Sequence, residues 1–328
     1  MTLRFLLTER IPDPGLRMLH EAGDVTVLPS PPGAAELREL CASGDFDVLL
    51  SQLGDAVDAQ LLASAQLRGV SNYAVGVNNI DLAAAASRGI PVGNTPGVLT
   101  DATADIAMLL ILGTARRVIE ADALVRAGKF NGWTPDLMLG GDVSGQVLGL
   151  AGFGRIARAT ARRALGFGME VIFSPRPPAE RIVSAAELGE FAGKTTQLPW
   201  PQVLARADFL SLHVPLAAET RHLMDAAAFA AMKSSAFLIN TSRGPVVAEK
   251  DLVEALRQGV IAGAGLDVYE HEPALAPGLA ELPNTVLLPH VGSGTVAVRA
   301  KMAGLAAANA IAMARGETPP HPVMPPQK

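Results

Sequence analysis

The sequence predicts an α/β protein built from two doubly wound parallel-sheet domains. Three observations predict it. Short apolar runs alternate with helix-like runs along nearly all of the 328 residues, the pattern of parallel strands joined by crossover helices. A glycine turn, Gly152-Phe153-Gly154-Arg155-Ile156-Ala157, lies mid-chain between an apolar run at 146–151 and an Ala- and Arg-rich run at 155–165. Several strand–helix units precede that turn, so the domain holding it begins well inside the chain.

Candidate strands in the first block are 3–7, 25–28, 48–51, 69–71 and 91–93. The run at 3–7 is too short for a signal peptide and reads as the first strand. After Asn94-Thr95-Pro96-Gly97 comes a long helical pattern over 101–127, then a loop with Trp133, Pro135, Gly140 and Gly141. The strand at 146–151 follows, then the helix at 155–165 and a second strand at 170–176. Further strands are expected at 209–213, 236–240, 263–267 and 286–288, with a helix at 249–258. A last helix, 295–314, precedes a Pro-rich tail at 319–326 that reads as a loosely held terminus. That helix comes after the second sheet has its strands. The expected layout is therefore a domain of 102–289 inserted in one made of 1–101 plus 290–328. Two crossings of the border make a hinge and a cleft, where ligands commonly bind.

Composition narrows the function classes. Hydrophobic residues are 49% and charged residues 18%, so the chain can bury two sizeable cores. The net charge of −5 gives no general attraction to nucleic acid or an anionic membrane. Cys41 is the single cysteine, so no internal disulfide forms and nothing suggests an oxidising compartment. No stretch approaches ~18 uninterrupted apolar residues, so no membrane span is expected and the cytoplasm is the default location. The six histidines show no metal-ligand spacing, and no metal is expected.

A strand, a glycine turn and a helix N-terminus together make a pyrophosphate site. Gly152 allows the tight turn, Gly154 lets backbone approach phosphate, and the helix dipole favours its charge. Phe153, Arg155 and Ile156 complete the candidate dinucleotide contacts, with Ala157 at the small third position; a merely tight turn is the bland alternative. NAD sites usually place an acidic residue at the end of the next strand. Here Ser174, Pro175 and Arg176 stand there, followed by Pro177 and Pro178, with Arg181 nearby. A 2′-phosphate takes a hydroxyl donor and a guanidinium and is repelled by a carboxylate. The expected cofactor is NADPH, with NADH as the alternative if Arg176 is only a solvated loop residue.

Hydride transfer to a carbonyl needs a polarising cation, a proton donor and a hold on the substrate. Three loops at strand ends offer them. Asn240-Thr241-Ser242-Arg243-Gly244-Pro245 presents Arg243, whose fork suits a carboxylate plus the adjacent carbonyl of a 2-oxo acid; the alternative is an arginine capping the helix at 249–258. Gly265-Leu266-Asp267-Val268-Tyr269-Glu270-His271-Glu272-Pro273 presents carboxylates. Leu288-Pro289-His290-Val291-Gly292-Ser293 presents His290 beside glycine. A carboxylate next to that imidazole would favour its charged form and hold one tautomer, making a proton donor. His20, His222 and His321 lie in surface-like stretches, and His271 lies between two glutamates. His213 ends a strand and is a candidate for the cofactor cleft, with Pro215 and Thr220 after it, Thr241 and Ser242 before Arg243, and Gly292 after His290.

At these loops the chain resembles the D-isomer-specific 2-hydroxyacid dehydrogenase family, and the resemblance covers nearly its whole length. The matching motifs are the Asn-x-x-Arg-Gly loop at Arg243, Glu272 five residues after Asp267 in Gly-Leu-Asp-Val, and His290 in Pro-His-x-Gly-Ser. The resemblance implies a Rossmann dinucleotide domain inserted in a flavodoxin-like substrate domain. It implies that Arg243 binds and polarises a 2-oxo acid, that His290 is the general acid in reduction, that Glu272 holds and charges it, and that Asp267 contacts the nicotinamide end. It extends to the stretch 72–81, where amides around Val75 and Gly76 would hold the substrate carboxylate. It also covers the stretch 94–105, with Thr103 near the nicotinamide phosphate. Those stretches are most similar to glyoxylate/hydroxypyruvate reductases, with 2-ketogluconate reductases close behind. Implied too are domain closure over the substrate and a homodimer formed through the nucleotide domain, by the long helix and the loop near Trp133. Ala157 departs from a third glycine, Pro175 stands where NAD-preferring relatives have Asp, and Ala248 stands where the family usually has Asp. Leu53, Tyr73 and Trp133 either shape the substrate pocket or serve packing. A dinucleotide-sensing regulator without turnover is the reading from another class.

Overall fold

A computed structural model describes residues 2–179 and 181–324; part of the Pro-rich tail, Pro325 and Pro326, lies outside them. The chain forms two compact units, one of residues up to Leu99 plus those from Gly294 on, the other Thr100–Ser293.

The first unit runs β1 (Leu3–Leu7), α1 (Gly15–Ala22), β2 (Gly23–Val27), α2 (Ala34–Ala42), β3 (Val48–Ser51), α3 (Ala59–Ser64), β4 (Gly69–Asn72), α4 (Leu82–Ser87) and β5 (Val92–Gly93). Its sheet is parallel throughout, in the order β2-β1-β3-β4-β5, the flavodoxin-like arrangement. β3 and β4 are buried at every position; β3 accordingly reads as a continuous apolar run and not as an alternating one, while the polar Ser71 and Asn72 of β4 are satisfied inside by the Ala306 carbonyl and the Ser51 hydroxyl. Asp58 and Asp81 cap α3 and α4 by accepting from Leu61 N and Ala84 N, the usual aspartate device at a helix start.

The second unit follows as α5 (Thr100–Ala115), α6 (Val118–Arg126), β6 (Val147–Ala151), α7 (Arg155–Gly166), β7 (Glu170–Ser174), α8 (Ala185–Leu188), β8 (Thr195–Gln197), α9 (Trp200–Arg206), β9 (Phe209–Leu212), α10 (Ala226–Ala230), β10 (Phe237–Asn240), α11 (Glu249–Arg257), β11 (Gly263–Leu266) and β12 (Thr285–Leu287). Seven parallel strands stand in the order β12-β11-β10-β9-β6-β7-β8. Strand order reverses between β6 and β9, and a doubly wound sheet opens its ligand crevice at that point. Ala157, Ala161 and Ala164 are buried on α7, and their small size lets α7 lie close to α5, whose Ala104, Ala107 and Ile111 are buried as well. α12 (Val296–Ala314) returns to the first unit. Among the described residues it alone is long and apolar enough to cross a membrane by length and composition. Here Met302, Ala303, Ala306, Ala307, Ala310 and Met313 are buried in the core with Phe5, Leu7, Val48 and Leu50.

Three expectations need correction. The helical pattern at 101–127 is two helices, because Arg117 adopts the left-handed conformation at φ 53° and its guanidinium pairs with Glu120. No glycine or proline announces that break. The strand expected at 170–176 stops at Ser174. A seventh strand, β8, was not expected, being three residues of Thr-Thr-Gln without an apolar run.

Candidate active site

The glycine turn follows β6. Gly152 has φ +92°, and a Cβ there would lie 2.9 Å from the His213 carbonyl oxygen, so conformation and space both require glycine. Its N–H donates to the Ser174 carbonyl at 2.8 Å, tying the ends of β6 and β7 together. Gly154 is the N-cap of α7 with no side-chain cap, and a Cβ added there would meet nothing within 4 Å. No side chain of its N-cap residue satisfies the first-turn N–H groups of α7, which begins with Arg155 and Ile156. Helix-start amides left so are anion receptors. Phe153 points the other way, stacked on Phe173 at 3.9 Å with the Arg158 guanidinium 4.6 Å from its ring centroid; its side chain is core. At the end of β7, Ser174 is buried and Arg176 is exposed, with Pro175 between them. Arg181 is taken up by an ion pair with Glu187.

His213 directly follows β9, which stops at Leu212, and its Nε2 lies 2.9 Å from Ser211 Oγ. Burial pulls its imidazole down from 6.5 to about 4, so it stays neutral near pH 7. Beyond it, Thr220 Oγ1 donates to the Pro215 carbonyl at 2.6 Å and accepts from Ala217 N at 2.9 Å, closing the turn that holds both candidates. The Thr241 hydroxyl is buried and has no partner among the described residues. An orphaned buried hydroxyl at a strand end, together with the uncapped start of α7, fits a dinucleotide.

The Arg243 loop is organised by Asn240, the last residue of β10. Asn240 Oδ1 accepts from Ser242 N and Ser242 Oγ, while its amide donates to the Arg243 carbonyl. Gly244 then passes so near the next loop that a Cβ would lie 1.7 Å from the Tyr269 carbonyl oxygen. Arg243 does not cap α11, which begins six residues later with Ala248 as N-cap; it stands at the start of a short 3-10 turn, Gly244–Val246, to which its side chain gives no cap hydrogen bond. Its guanidinium makes one hydrogen bond among the described residues, to the Ser242 carbonyl at 2.6 Å. Burial draws its pKa below the ordinary value, with the Glu272 charge opposing. A part-buried guanidinium with most of its donors unmatched calls for an anionic, oxygen-rich ligand.

Glu272 and His290 meet, with His290 Nδ1 2.9 Å from Glu272 Oε2. The other carboxylate oxygen accepts from Tyr269 N at 3.0 Å. Burial pushes the Glu272 carboxyl up, but His290, the Tyr269 amide and Arg243 outweigh it and hold it below the usual carboxylate value. His290 Nε2 has no protein partner among the described residues, and the side chain is 29% exposed, so a reacting molecule can reach it.

His290 itself has φ 55°, a conformation that a non-glycine residue keeps only where its surroundings impose it. Asp267 imposes it here. One of its oxygens accepts from Val291 N and the other from Gly292 N, both at 2.7 Å. Thr103 Oγ1 donates to the Gly292 carbonyl. Asp267, expected at the nicotinamide end, thus has both oxygens engaged by backbone amides, and burial raises its pKa against their pull. Tyr269 braces the same stretch by donating to the Leu288 carbonyl at 2.8 Å; nothing in the sequence flagged it. His222, expected at the surface, pairs with Glu270.

The remaining candidates lie on the first unit. The Val75 carbonyl accepts from Asn94 Nδ2 and the Gly76 carbonyl from Asn72 Nδ2, while the amides of Val75 and Gly76 make no hydrogen bond among the described residues. Leu53 follows β3 and is 37% exposed. Tyr73 is buried with its hydroxyl on the Arg299 carbonyl, which is packing. Trp133, on the second unit, is 79% exposed. Among the described residues no group of His, Cys, Asp and Glu could hold a metal ion.

Residues 108–292 match the family model for the NAD binding domain of the D-isomer specific 2-hydroxyacid dehydrogenases. The chain belongs to that family. A glyoxylate reductase from Thermococcus litoralis is 44% identical, over 98% of this chain and 96% of its own. Among solved structures, a glyoxylate reductase from Paecilomyes thermophila superposes with a TM-score of 0.85 at 31% identity, covering 98% of both chains. An NADPH-dependent glyoxylate/hydroxypyruvate reductase from Sinorhizobium meliloti, in complex with NADP and malonate, gives 0.83 at 33% identity, covering 98% of this chain and 97% of its own. This dehydrogenase is thus an NAD(P)-dependent oxidoreductase with a Rossmann domain for a nicotinamide dinucleotide.

Proposed function

We propose that this dehydrogenase reduces small 2-oxo acids, glyoxylate and hydroxypyruvate foremost, to D-2-hydroxy acids, with NADPH preferred over NADH. The observation that carries the reading is the Arg243 guanidinium, nearly unmatched, on one side of the paired His290 and Glu272. Arg243 takes the substrate's carboxylate and carbonyl oxygen, drawing electron density from C2. His290 delivers a proton from Nε2 to that oxygen, and Glu272 holds the ring by Nδ1 and offsets its charge. A bound reduced nicotinamide supplies the hydride that C2 receives. Gly152, Gly154, Arg155 and Ile156 hold the pyrophosphate, and Thr241, Ser242, His213, Pro215, Thr220 and Gly292 line the nicotinamide side. Asp267 and Thr103 act there through the loop at 290–292. Val75 and Gly76 offer free amides to the carboxylate, and Leu53 is the candidate for side-chain preference.

NADPH over NADH rests on Ser174 and Arg176 at the end of β7 and on the lack of a carboxylate at that end. The exposed apolar side chains of the second unit support a homodimer, and the cytoplasm stays the default location, on the single cysteine and the modest net charge. The test is loss of reduced-nicotinamide absorbance with NADPH or NADH against glyoxylate, hydroxypyruvate, pyruvate and 2-ketogluconate. Fast NADPH oxidation with the first two is expected. Faster turnover with 2-ketogluconate would move the substrate, and tight dinucleotide binding without turnover on any acid would sink the enzyme reading in favour of a sensor.

A further inference from the structure

A buried carboxylate behind the site has no part in the chemistry described so far. Glu249 is the first residue of α11 and is only 3% exposed. One of its oxygens accepts from Glu270 N and the other from Ala276 N, at 3.1 Å. These two amides flank the loop that carries Glu272. The bonding is reciprocal, because a Glu270 oxygen accepts from Glu249 N at 3.2 Å, and the other Glu270 oxygen is held by His222. The segment leading into Glu249 is the one that leaves Arg243. It is fixed in turn by Met224 N on the Val246 carbonyl and by Ala248 N on the Met224 carbonyl. Ala248 offers α11 no side-chain cap, and the Glu270 carboxylate reaches the helix start from across the loop instead.

We infer that Glu249 is a positioning residue: it clamps the loop at 270–276 so that Glu272 meets His290 at the distance and angle proton delivery needs. A clamp at both ends of a short loop limits the sway of a carboxylate between them, and a small misplacement of an acid–base group costs rate steeply. Burial raises the Glu249 carboxyl against the pull of the two amides, with Glu270 adding to the rise and His271 opposing it. The groups facing it are thus Glu270 and His271, with His222 and Arg221 behind Glu270. The inference rests on the reading of His290 and Glu272 as the acid–base pair.

The test compares Glu249→Ala, Glu249→Gln and Glu272→Gln with the unaltered protein. It measures kcat and KM for glyoxylate across pH, NADPH binding by fluorescence, and the melting temperature. Glu249→Ala should lower kcat at least ~10-fold and move the alkaline limb of the kcat profile to lower pH, because His290 loses support for its charged form. NADPH affinity should stay within about twofold, since Glu249 bonds only to its own two loops. Glu249→Gln keeps one acceptor oxygen and should fall between, which covers the case in which the alanine variant does not fold. A shifted limb in Glu272→Gln with an unshifted limb and wild-type kcat in both Glu249 variants would overturn the inference and leave the acid–base pair standing. An unshifted limb in Glu272→Gln would remove the pair itself, and the clamp with it. Parallel loss of NADPH binding, kcat and melting temperature without a limb shift would make Glu249 a stability residue and end the positioning role.

Discussion

At the residue scale the site is a set of groups made costly by burial and then balanced. His290→Gln should lower kcat by ~10²–10⁴ while NADPH still binds, the loss typical of removing one acid–base group. An active variant would remove His290 from the chemistry. Arg243→Lys should lose both substrate affinity and rate, because an ammonium cannot match a carboxylate and a carbonyl with one planar fork. An unchanged kcat/KM would sink that role. His213 makes a pH prediction. The unfolded chain takes up a proton on this ring below its ordinary 6.5, the folded protein only near about 4. The unfolded state therefore binds more protons between those values, so stability falls with pH across that window and no further below it. The loss by pH 5 is at most about 2 kcal/mol. His213→Gln should show a smaller fall in melting temperature between pH 7 and 5 than the unaltered protein; an equal fall would show that the ring is protonated freely. The proposed trio of Arg243, Glu272 and His290 stands out in the sequence because each lies beside glycine or proline in a loop that follows an apolar strand. The clamping partners do not. Asp267 reaches amides 24 and 25 residues away and Glu249 one 21 residues away, and such pairings depend on how β10, β11 and β12 align, which no local pattern encodes.

At the element scale, the glycine turn separates folding from binding. Gly152 is required by the fold, through its positive φ and the His213 carbonyl beside it. Gly154 is not, because a methyl there meets no protein atom within 4 Å and its φ of −79° suits any residue. Gly154→Ala should therefore leave the melting temperature of the ligand-free protein nearly unchanged while weakening NADPH binding at least ~10-fold, since the methyl would occupy the approach of the phosphates. Intact affinity would place the pyrophosphate elsewhere. The elements were largely readable, since fully buried parallel strands are continuous apolar runs. The failures are instructive. The kink at Arg117 is made by an ion-paired residue in a left-handed conformation, and β8 is a polar edge strand added by pairing with β7. Neither leaves an apolar signature.

At the scale of the whole molecule, the second unit exposes a set of large apolar side chains that the described residues leave uncovered. Leu109, Val118, Ile119, Val125, Phe130, Trp133, Leu139 and Phe167 are all exposed and all belong to the second unit. None of the nine α6 residues is buried, although Val118, Ile119 and Val125 are among them. A helix with large apolar side chains and no buried face is waiting for a surface. A second copy of the chain, pairing the same face with itself, would cover it in a closed assembly. Light scattering should then give twice the 34.0 kDa of one chain. Ile119→Glu should return a monomer, because a carboxylate cannot be buried unpaired at the centre of such a contact. α6 supplies none of the residues proposed for the dinucleotide or the substrate, so the monomer should still bind NADPH. Its melting temperature should become independent of protein concentration, whereas that of a dimer rises with concentration by mass action. An unaltered protein that scatters as a single chain at micromolar concentration would leave this face without its second copy and refute the dimer.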